Sequence, residues 1–345
     1  MTDERALRDV SLAAIHEARA RIAGRVHRTP MLSSRTAARL LGARLGIRIG
    51  DGPSRDARPR LFLKAEHLQV TGSFKPRGAT NRVLQLTPDE RARGLITISA
   101  GNHAAALAYV GASAGVPVTV CMPTGASRSK ADAAAGYGAE VVLHGAHVGE
   151  TLIRMQELQE ERGLVYVPPF DDPEIIAGQG TVGLEIVEDL PDVDVIVVGV
   201  GGGGLISGVS AAAKQLRPSV RVIGIEPERS NAITLGLAAG KPVQIHPVSI
   251  ADGLGAPFAG AWTLDLVRRY VDDILLVDEP TIVGGMRFAM ERMKQVLEPA
   301  GATALGAVIS GQVPIHDGET VCVIASGGNV DLARLGELLA APPQS

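Results

Sequence analysis

Short apolar runs alternate with segments of helical periodicity along most of this chain, and no other feature restricts its folding as much. Leu95 to Ile98 reads as a strand, Asn102 to Ala114 as a helix, Val118 to Met122 as a strand and Ser129 to Tyr137 as a helix. Val141 to Leu143, Glu150 to Arg162 and Leu164 to Val167 continue as strand, helix and strand. A second series runs through Val193 to Val198 (strand), Leu205 to Leu216 (helix), Val220 to Ile225 (strand), Thr281 to Leu297 (helix), Thr320 to Ala325 (strand) and Val330 to Leu339 (helix). Repeated strand–helix units build a parallel sheet with helices on both faces. Val193 to Val198 is largely apolar, as a strand covered on both sides must be. Two series predict two sheets with a cleft between them, an α/β architecture.

Ahead of these series, Leu7 to Ile22 has helical spacing, and His27-Arg28-Thr29-Pro30 ends it. Ser33-Ser34 starts a second helix toward Leu45, and Thr87-Pro88-Asp89-Glu90 opens another turn. Gly50 to Arg60, polar and rich in breakers, reads as a surface loop or insertion, and Ala341 to Ser345 as a frayed tail. A chain of 345 residues, 46% hydrophobic, can build two domains with a substantial core. The net charge is −3 and no basic run occurs, which argues against nucleic acid as the main partner. No apolar run has membrane length, and Met1 to Arg5 lacks a signal-peptide pattern. Cys121 and Cys322 both lie in apolar strand-like runs and read as buried thiols. A cytoplasmic protein is expected.

Four loops carry the chemistry. Thr71-Gly72-Ser73-Phe74-Lys75-Pro76-Arg77-Gly78 puts Lys75 where a loop turns into a helix, with a proline suited to the first turn. The positive helix end and apolar Phe74 disfavour an ammonium there, which pushes the amine toward its neutral, nucleophilic form. Ser99-Ala100-Gly101-Asn102-His103 follows a strand and opens a helix, a place for an anion or a polar ligand, though an ordinary helix cap would look the same. Gly199-Val200-Gly201-Gly202-Gly203-Gly204-Leu205 follows the apolar strand, and bare backbone of this kind can wrap a phosphate. No Walker lysine follows it. Gly199, Gly201 and Gly204 fit G-x-G-x-x-G spacing with Glu226 about 20 residues on, so a dinucleotide site stays open as an alternative. Ser326-Gly327-Gly328-Asn329 ends another apolar strand. Ligands of open α/β sheets bind beyond the carboxyl ends of strands, so these loops can line one crevice. An activated lysine, a phosphate loop and polar groups at strand ends together point to pyridoxal phosphate.

Taken in this order, Ser-Phe-Lys, Ser-Ala-Gly-Asn-His, the tetraglycine loop and Ser-Gly-Gly-Asn resemble the serine/threonine dehydratase family. With them go Gly178-Gln179-Gly180-Thr181, Ile250-Ala251-Asp252-Gly253 and Glu298-Pro299, so that the resemblance runs from about Arg28 to Leu339. It implies a fold-type II (tryptophan synthase β-like) pyridoxal-phosphate enzyme, a group that also holds serine racemase. Two open α/β domains would flank the site, residues 1–90 with 170–345 forming the larger and 91–169 the smaller. The implied reaction is loss of water from L-threonine or L-serine to give a 2-oxo acid and ammonia. Serine racemase or 3-hydroxyaspartate dehydratase activity on the same scaffold is the alternative, and a non-catalytic ligand sensor a remote one.

By the same resemblance, Lys75 binds the cofactor as a Schiff base and then acts as the base at Cα. Gly201, Gly202, Gly203, Gly204 and Leu205 cradle the phosphate. Asn102 meets the ring 3′-oxygen, Phe74 supports the ring, Ser326 faces the pyridine nitrogen, and Glu298 and Gly253 complete the cofactor site. Ser73, Ser99, Ala100, Gly101, Asn102 and His103 take the substrate carboxylate. Two departures stand out. Racemase relatives carry a second serine where this chain has Ala100, which cannot move a proton, so elimination with little racemisation is expected. Relatives that bind a divalent cation use a glutamate, matched by Glu226, and an aspartate whose place is taken by Ala232. No metal is therefore assigned. The chain stops after the two domains, so control by isoleucine through an added domain is not expected. The partners implied are an amino-acid substrate and further copies of the chain, as homodimer or homotetramer.

Overall fold

The computed structural model describes residues 7–47 and 60–340. All of the expected insertion but Arg60, and the expected tail at 341–345, lie outside the described residues.

Helix α1 (Leu12–Ile22) begins at Ser11, whose side chain accepts from the Ala14 amide. Strand β1 (Met31–Ser33) and α2 (Arg35–Leu45) follow, with Ser34 capping α2 in the same way. Strand β2 (Leu61–Lys64) leads through two short 3-10 turns into α3 (Lys75–Leu84). Helix α4 (Pro88–Arg93) opens on a reciprocal pair, in which Thr87 takes the Glu90 amide and Glu90 takes the Thr87 amide. A strand–helix series comes next: β3 (Leu95–Ile98), α5 (Asn102–Ala114), β4 (Val118–Met122), α6 (Arg128–Gly136), β5 (Glu140–Leu143), α7 (Val148–Arg162) and β6 (Val165–Tyr166). Then come α8 (Pro173–Asp189), β7 (Val195–Gly199), α9 (Gly204–Leu216), β8 (Arg221–Pro227), α10 (Ala232–Ala239) and α11 (Ala261–Tyr270). The series closes with β9 (Asp273–Val277), α12 (Glu279–Phe288), α13 (Pro299–Ile309), β10 (Val321–Ile324) and α14 (Leu332–Ala340).

Two sheets result. The larger has the order β1-β2-β10-β7-β8-β9, with β1 antiparallel to β2 and every other pair parallel. The smaller, β5-β4-β3-β6, is parallel throughout. Side chains alternate across the larger sheet as the pleat requires. Val195, Val197, Val321 and Val323 enter one core, while Ile196, Val198, Cys322 and Ile324 enter the core on the other face. Both cysteines are buried free thiols.

This topology sets up the site. Strands β2, β10 and β7 are neighbours at the centre of the sheet, in a register that pairs Lys64 with Ile324 and Val323 with Val197. Their carboxyl ends therefore stop at one level. The lysine loop, the Ser326 loop and the glycine loop all leave from that level, while β3 brings Ser99 to His103 from the smaller sheet. Helix α8 lies against both α3 and α9. A Cβ on Gly178 would come within 2.6 Å of the Gly78 Cα, so α3 and α8 cross at bare backbone. The Gly178-Gln179-Gly180-Thr181 motif thus packs helices together.

Several expectations shift. The single helix expected from Thr281 to Leu297 is broken. Helix α12 stops at Phe288, a π-helical turn spans Ala289–Met293, and Lys294 takes a left-handed φ of 60°. The chain turns there so that Glu298-Pro299 can start α13 beneath the Ser326 loop. Helices α8 and α13, both missed in the sequence, are buried over most of their surface and carry little amphipathic pattern to reveal them.

Candidate active site

Lys75 is the first residue of α3, with Pro76 next and no side chain capping the turn. The loop before it is sewn to the Ser326 loop by backbone. The His67 amide donates to Ala325 (2.9 Å), the Phe74 amide to Ser326 (3.1 Å) and the Gly328 amide to Gly72 (3.0 Å). Ser73 and Gly327 form an isolated antiparallel bridge. The Lys75 amine donates to the Pro169 carbonyl (2.8 Å) and lies 5.1 Å from the centre of the Phe74 ring. Burial pushes its pKa down to about 8, against the opposing field of Glu298. The sequence had suggested the same direction.

The residue after Pro169 leads straight to the glycine loop. Cβ atoms built on Gly202 and Gly204 would come within 2.4 and 2.9 Å of Phe170, and one on Gly201 within 2.9 Å of the Leu254 Cα. Gly203 has a left-handed φ of 91° and stands at the N-cap of α9 with no side-chain cap. A helix start leaves its first N–H groups without intrahelical partners, and here no side chain among the described residues caps them. Lysine and glycine loop are therefore joined by two consecutive residues, Pro169 and Phe170.

On the opposite flank, the Asn102 Nδ2 donates to Glu298 Oε1 (2.6 Å) and its Oδ1 accepts from Asn329 Nδ2 (2.8 Å). Burial lifts the Glu298 pKa to about 7, with the Asn102 hydrogen bond pulling the other way. Ser326 is buried at the end of β10, its Oγ 3.5 Å from the Ala300 carbonyl. Gly253 also faces Ala300 and Glu298, which a Cβ would approach to 2.8 and 3.8 Å. Ser99 Oγ accepts from the Gly101 amide (3.2 Å), and Ala100 is half-buried beside them. His103 is buried, its Nε2 3.2 Å from the Val167 carbonyl. Burial and then the Lys75 charge push its pKa down to about 3, so its imidazole stays neutral. Ser73 Oγ and Thr71 Oγ1 are buried without any partner among the described residues.

Glu226 bears on the dinucleotide alternative. Its carboxylate turns inward and accepts from the Ile233 amide (2.9 Å), the Thr234 amide (2.9 Å) and the Thr234 hydroxyl (2.6 Å). Both oxygens are buried and already accept from the start of α10, which turns the carboxylate away from the role of a ribose partner.

Sequence reasoning missed Pro169 and Phe170 as neighbours of the lysine, Asn329 as a partner of Asn102, and a buried ionic cluster under α3. Arg77, one per cent exposed, donates to Glu66 (2.8 Å from both Nε and Nη2) and to Glu185 (2.7 and 2.9 Å). Lys64, fully buried, donates to Glu185 (2.6 Å) and the Thr29 carbonyl (2.8 Å). Burial opposes the charge on Arg77, but the two carboxylates outweigh it and raise its pKa. The one available signal was a run of charged residues, Lys64 and Glu66, directly after an apolar strand.

An uncapped glycine loop, a desolvated amine one peptide away and an orphaned serine hydroxyl fit an aldehyde cofactor bearing a phosphate. The family model for pyridoxal-phosphate dependent enzymes matches residues 51–327, and the chain belongs to that family. Its fold is that of the fold-type II enzymes.

Within the family, its similarities lie on the serine/threonine dehydratase side. It is 40% identical over 333 residues to the catabolic L-threonine dehydratase TdcB of Escherichia coli (strain K12), covering 95% of this chain and 96% of that protein. The maize serine racemase structure superposes with a TM-score of 0.86 at 36% identity, covering 96% of this chain and 98% of that one. The T.th. threonine deaminase structure gives 0.81 at 39% identity, covering 93% and 99%.

Proposed function

We propose that this chain is an ammonia-lyase that removes water from L-threonine and L-serine, giving a 2-oxo acid and ammonia. The observation that carries the reading is the Lys75 amine, its pKa lowered to about 8, held one residue away from a ring packed on the glycine loop. When bound, pyridoxal phosphate supplies an aldehyde for that amine and an electron sink at the substrate Cα.

The chain's own residues do the rest. Gly201 to Gly204 and Leu205 offer backbone N–H groups to the phosphate at the start of α9. Asn102 and Glu298 face the ring oxygen, Phe74 and Gly253 flank the ring, and Ser326 gives its nitrogen a neutral hydroxyl. A hydroxyl there, instead of a carboxylate, does not hold the nitrogen protonated, which favours prompt loss of a β-substituent over transamination. Ser73, with its unspent Oγ, binds the substrate carboxylate together with Ser99, Ala100, Gly101 and Asn102, and His103 orients that loop as a neutral imidazole. Lys75, freed once the substrate amine takes its place on the aldehyde and neutral for much of the time near pH 8, takes the Cα proton, and the β-hydroxyl leaves with a proton as water. The enamine released to water hydrolyses to the 2-oxo acid and ammonia.

Residues 91–169 carry the smaller sheet and form the small domain, with 1–90 and 170–345 the large one. The protein works in the cytoplasm as a homodimer or homotetramer. No helix among the described residues is long and apolar enough to cross a membrane.

Borohydride should bleach the yellow holoenzyme and fix the cofactor on Lys75, and a panel of β-hydroxy amino acids should release keto acid fastest from threonine or serine. Colourless protein that ignores added cofactor would overturn the proposal. The likeness to serine racemases raises a second reading, racemisation, which needs a proton donor on the face away from Lys75. Ala100 supplies none. Recovered serine should therefore show little D-isomer in deuterated water, and its rapid appearance would favour the racemase.

A further inference from the structure

Thr71 is a β-branched residue with a left-handed φ of 62°, a conformation strained for such a side chain. Its own hydroxyl gains nothing from it, for Oγ1 is buried without a partner. What the turn does is aim the Thr71 carbonyl at Asn329, whose Nδ2 donates to it (2.7 Å). Gly72 is bare at the same point, since a Cβ there would lie 2.3 Å from Asn329 Oδ1. The backbone around Thr71 and Gly72 is thus shaped to receive the Asn329 side chain.

A peptide carbonyl can only accept, so Asn329 must turn its amide nitrogen toward Thr71. The second N–H on that nitrogen goes to Asn102 Oδ1 (2.8 Å). Asn102 must then turn its own nitrogen toward Glu298, where the bond is 2.6 Å. The chain Thr71–Asn329–Asn102–Glu298 therefore has one direction, fixed at the end that cannot reverse. Two hydrogen bonds spend both N–H groups of Asn329, while Asn102 keeps one N–H in hand.

We propose that Asn329 is a positioning residue that, anchored on the Thr71 carbonyl, sets which end of the Asn102 amide meets Glu298 and so holds Glu298 in the role of acceptor. The proposal deepens the cofactor-site reading and rests on it. Glu298 feels three other charged groups, Asp252, Lys130 of α6 and Lys75 of α3. None of them changes when residue 329 is varied.

The test follows the visible band of the lysine-linked cofactor in purified holoenzyme across about pH 6 to 9. Wild type should show an inflection near neutrality, and Glu298→Gln should abolish it. Asn329→Leu keeps the shape of the side chain and removes its hydrogen bonds. Asn102 can then turn its oxygen to Glu298, which must carry a proton to satisfy it, so the midpoint should rise by about half a unit, a threefold tighter hold on the proton. Asn329→Asp, which can only accept, forces the reversal and should raise it by about one unit, tenfold. Both shifts should vanish in the Glu298→Gln background. The proposal is overturned if Asn329→Leu titrates like wild type, or if either shift survives Glu298→Gln. An Asn329→Asp shift that disappears in about 1 M salt, with Asn329→Leu silent, would be plain charge repulsion and would also overturn it. Should one variant fail to take up cofactor, the other decides. Wild-type protein that shows no band with added cofactor would instead reject the cofactor reading itself.

Discussion

Two sides of the first turn of α3 lie two residues apart in sequence and follow opposite rules. On the side of Arg77, every charge is buried and answered: Arg77 and Lys64 against Glu66 and Glu185, with Thr29 and Thr181 taking remaining bonds. Burial alone would raise the Glu185 carboxyl, but Arg77 and Lys64 more than compensate and hold it below its ordinary range. On the side of Lys75, donors stand unanswered: an amine lent to one carbonyl, the Ser73 hydroxyl without a partner, and the uncapped start of α9. A buried polar group without a partner is costly unless a ligand supplies one. The satisfied side anchors the helix, and the side with unspent donors is the one whose chemistry fits a ligand.

The sharpest way to break this contrast is on the Lys75 side. Lys75→Ala should lower turnover by at least about 1000-fold and leave a colourless protein that borohydride does not label, with its melting temperature close to wild type. Unfolding of this variant at room temperature would show that Lys75 also carries structure. Arg77→Met is the mirror experiment. It strands Glu66 and Glu185 as buried charges and should cost about 3–5 kcal/mol in urea unfolding, whereas replacing the whole cluster by apolar residues of matching volume should cost far less. If the single substitution changes turnover more than stability, the anchor assignment fails.

Gly202→Ala drives a methyl group into the Phe170 ring, an overlap worth about 1–3 kcal/mol. Equilibrium binding of pyridoxal phosphate should weaken accordingly, by about 5- to 150-fold, and adding Phe170→Ala should recover part of it. No recovery would mean that Phe170 is not what confines the loop. The smallest effect concerns pH. A lysine whose pKa is lowered offers its neutral form at lower pH, so capture of pyridoxal phosphate by apoenzyme should speed up as pH rises and level off with a midpoint about 8. A midpoint near the ordinary lysine value of about 10.4 would show that the amine is not desolvated.

How much of this was legible beforehand depends on the range of the interaction. The alternation of strands and helices, the caps at Ser34 and Thr87, and the loop–helix junction at Lys75 all follow from neighbours a few residues apart, and each was readable. The four loops stood out as well, as glycine and small polar residues at strand and helix ends, although an ordinary helix cap would look the same at Ser99 to His103. The break after Phe288 did not, since Lys294 carries no local sign of a left-handed turn. Helices α8 and α13 also escaped notice, because a helix buried all round has no stripe to betray it.

The sequence by itself determined that a lysine, a run of bare backbone and two polar loops would exist, and that each would stand at a strand or helix end. Only the tertiary structure decided that β2, β10 and β7 lie side by side in one register, that Pro169 and Phe170 span from lysine to glycine loop, and that Arg77 finds Glu185 108 positions away. Local preferences act between neighbours along the chain. The burial that shifts Lys75 and Glu298 toward neutrality is a property of the packed molecule, made by residues distant from one another in sequence.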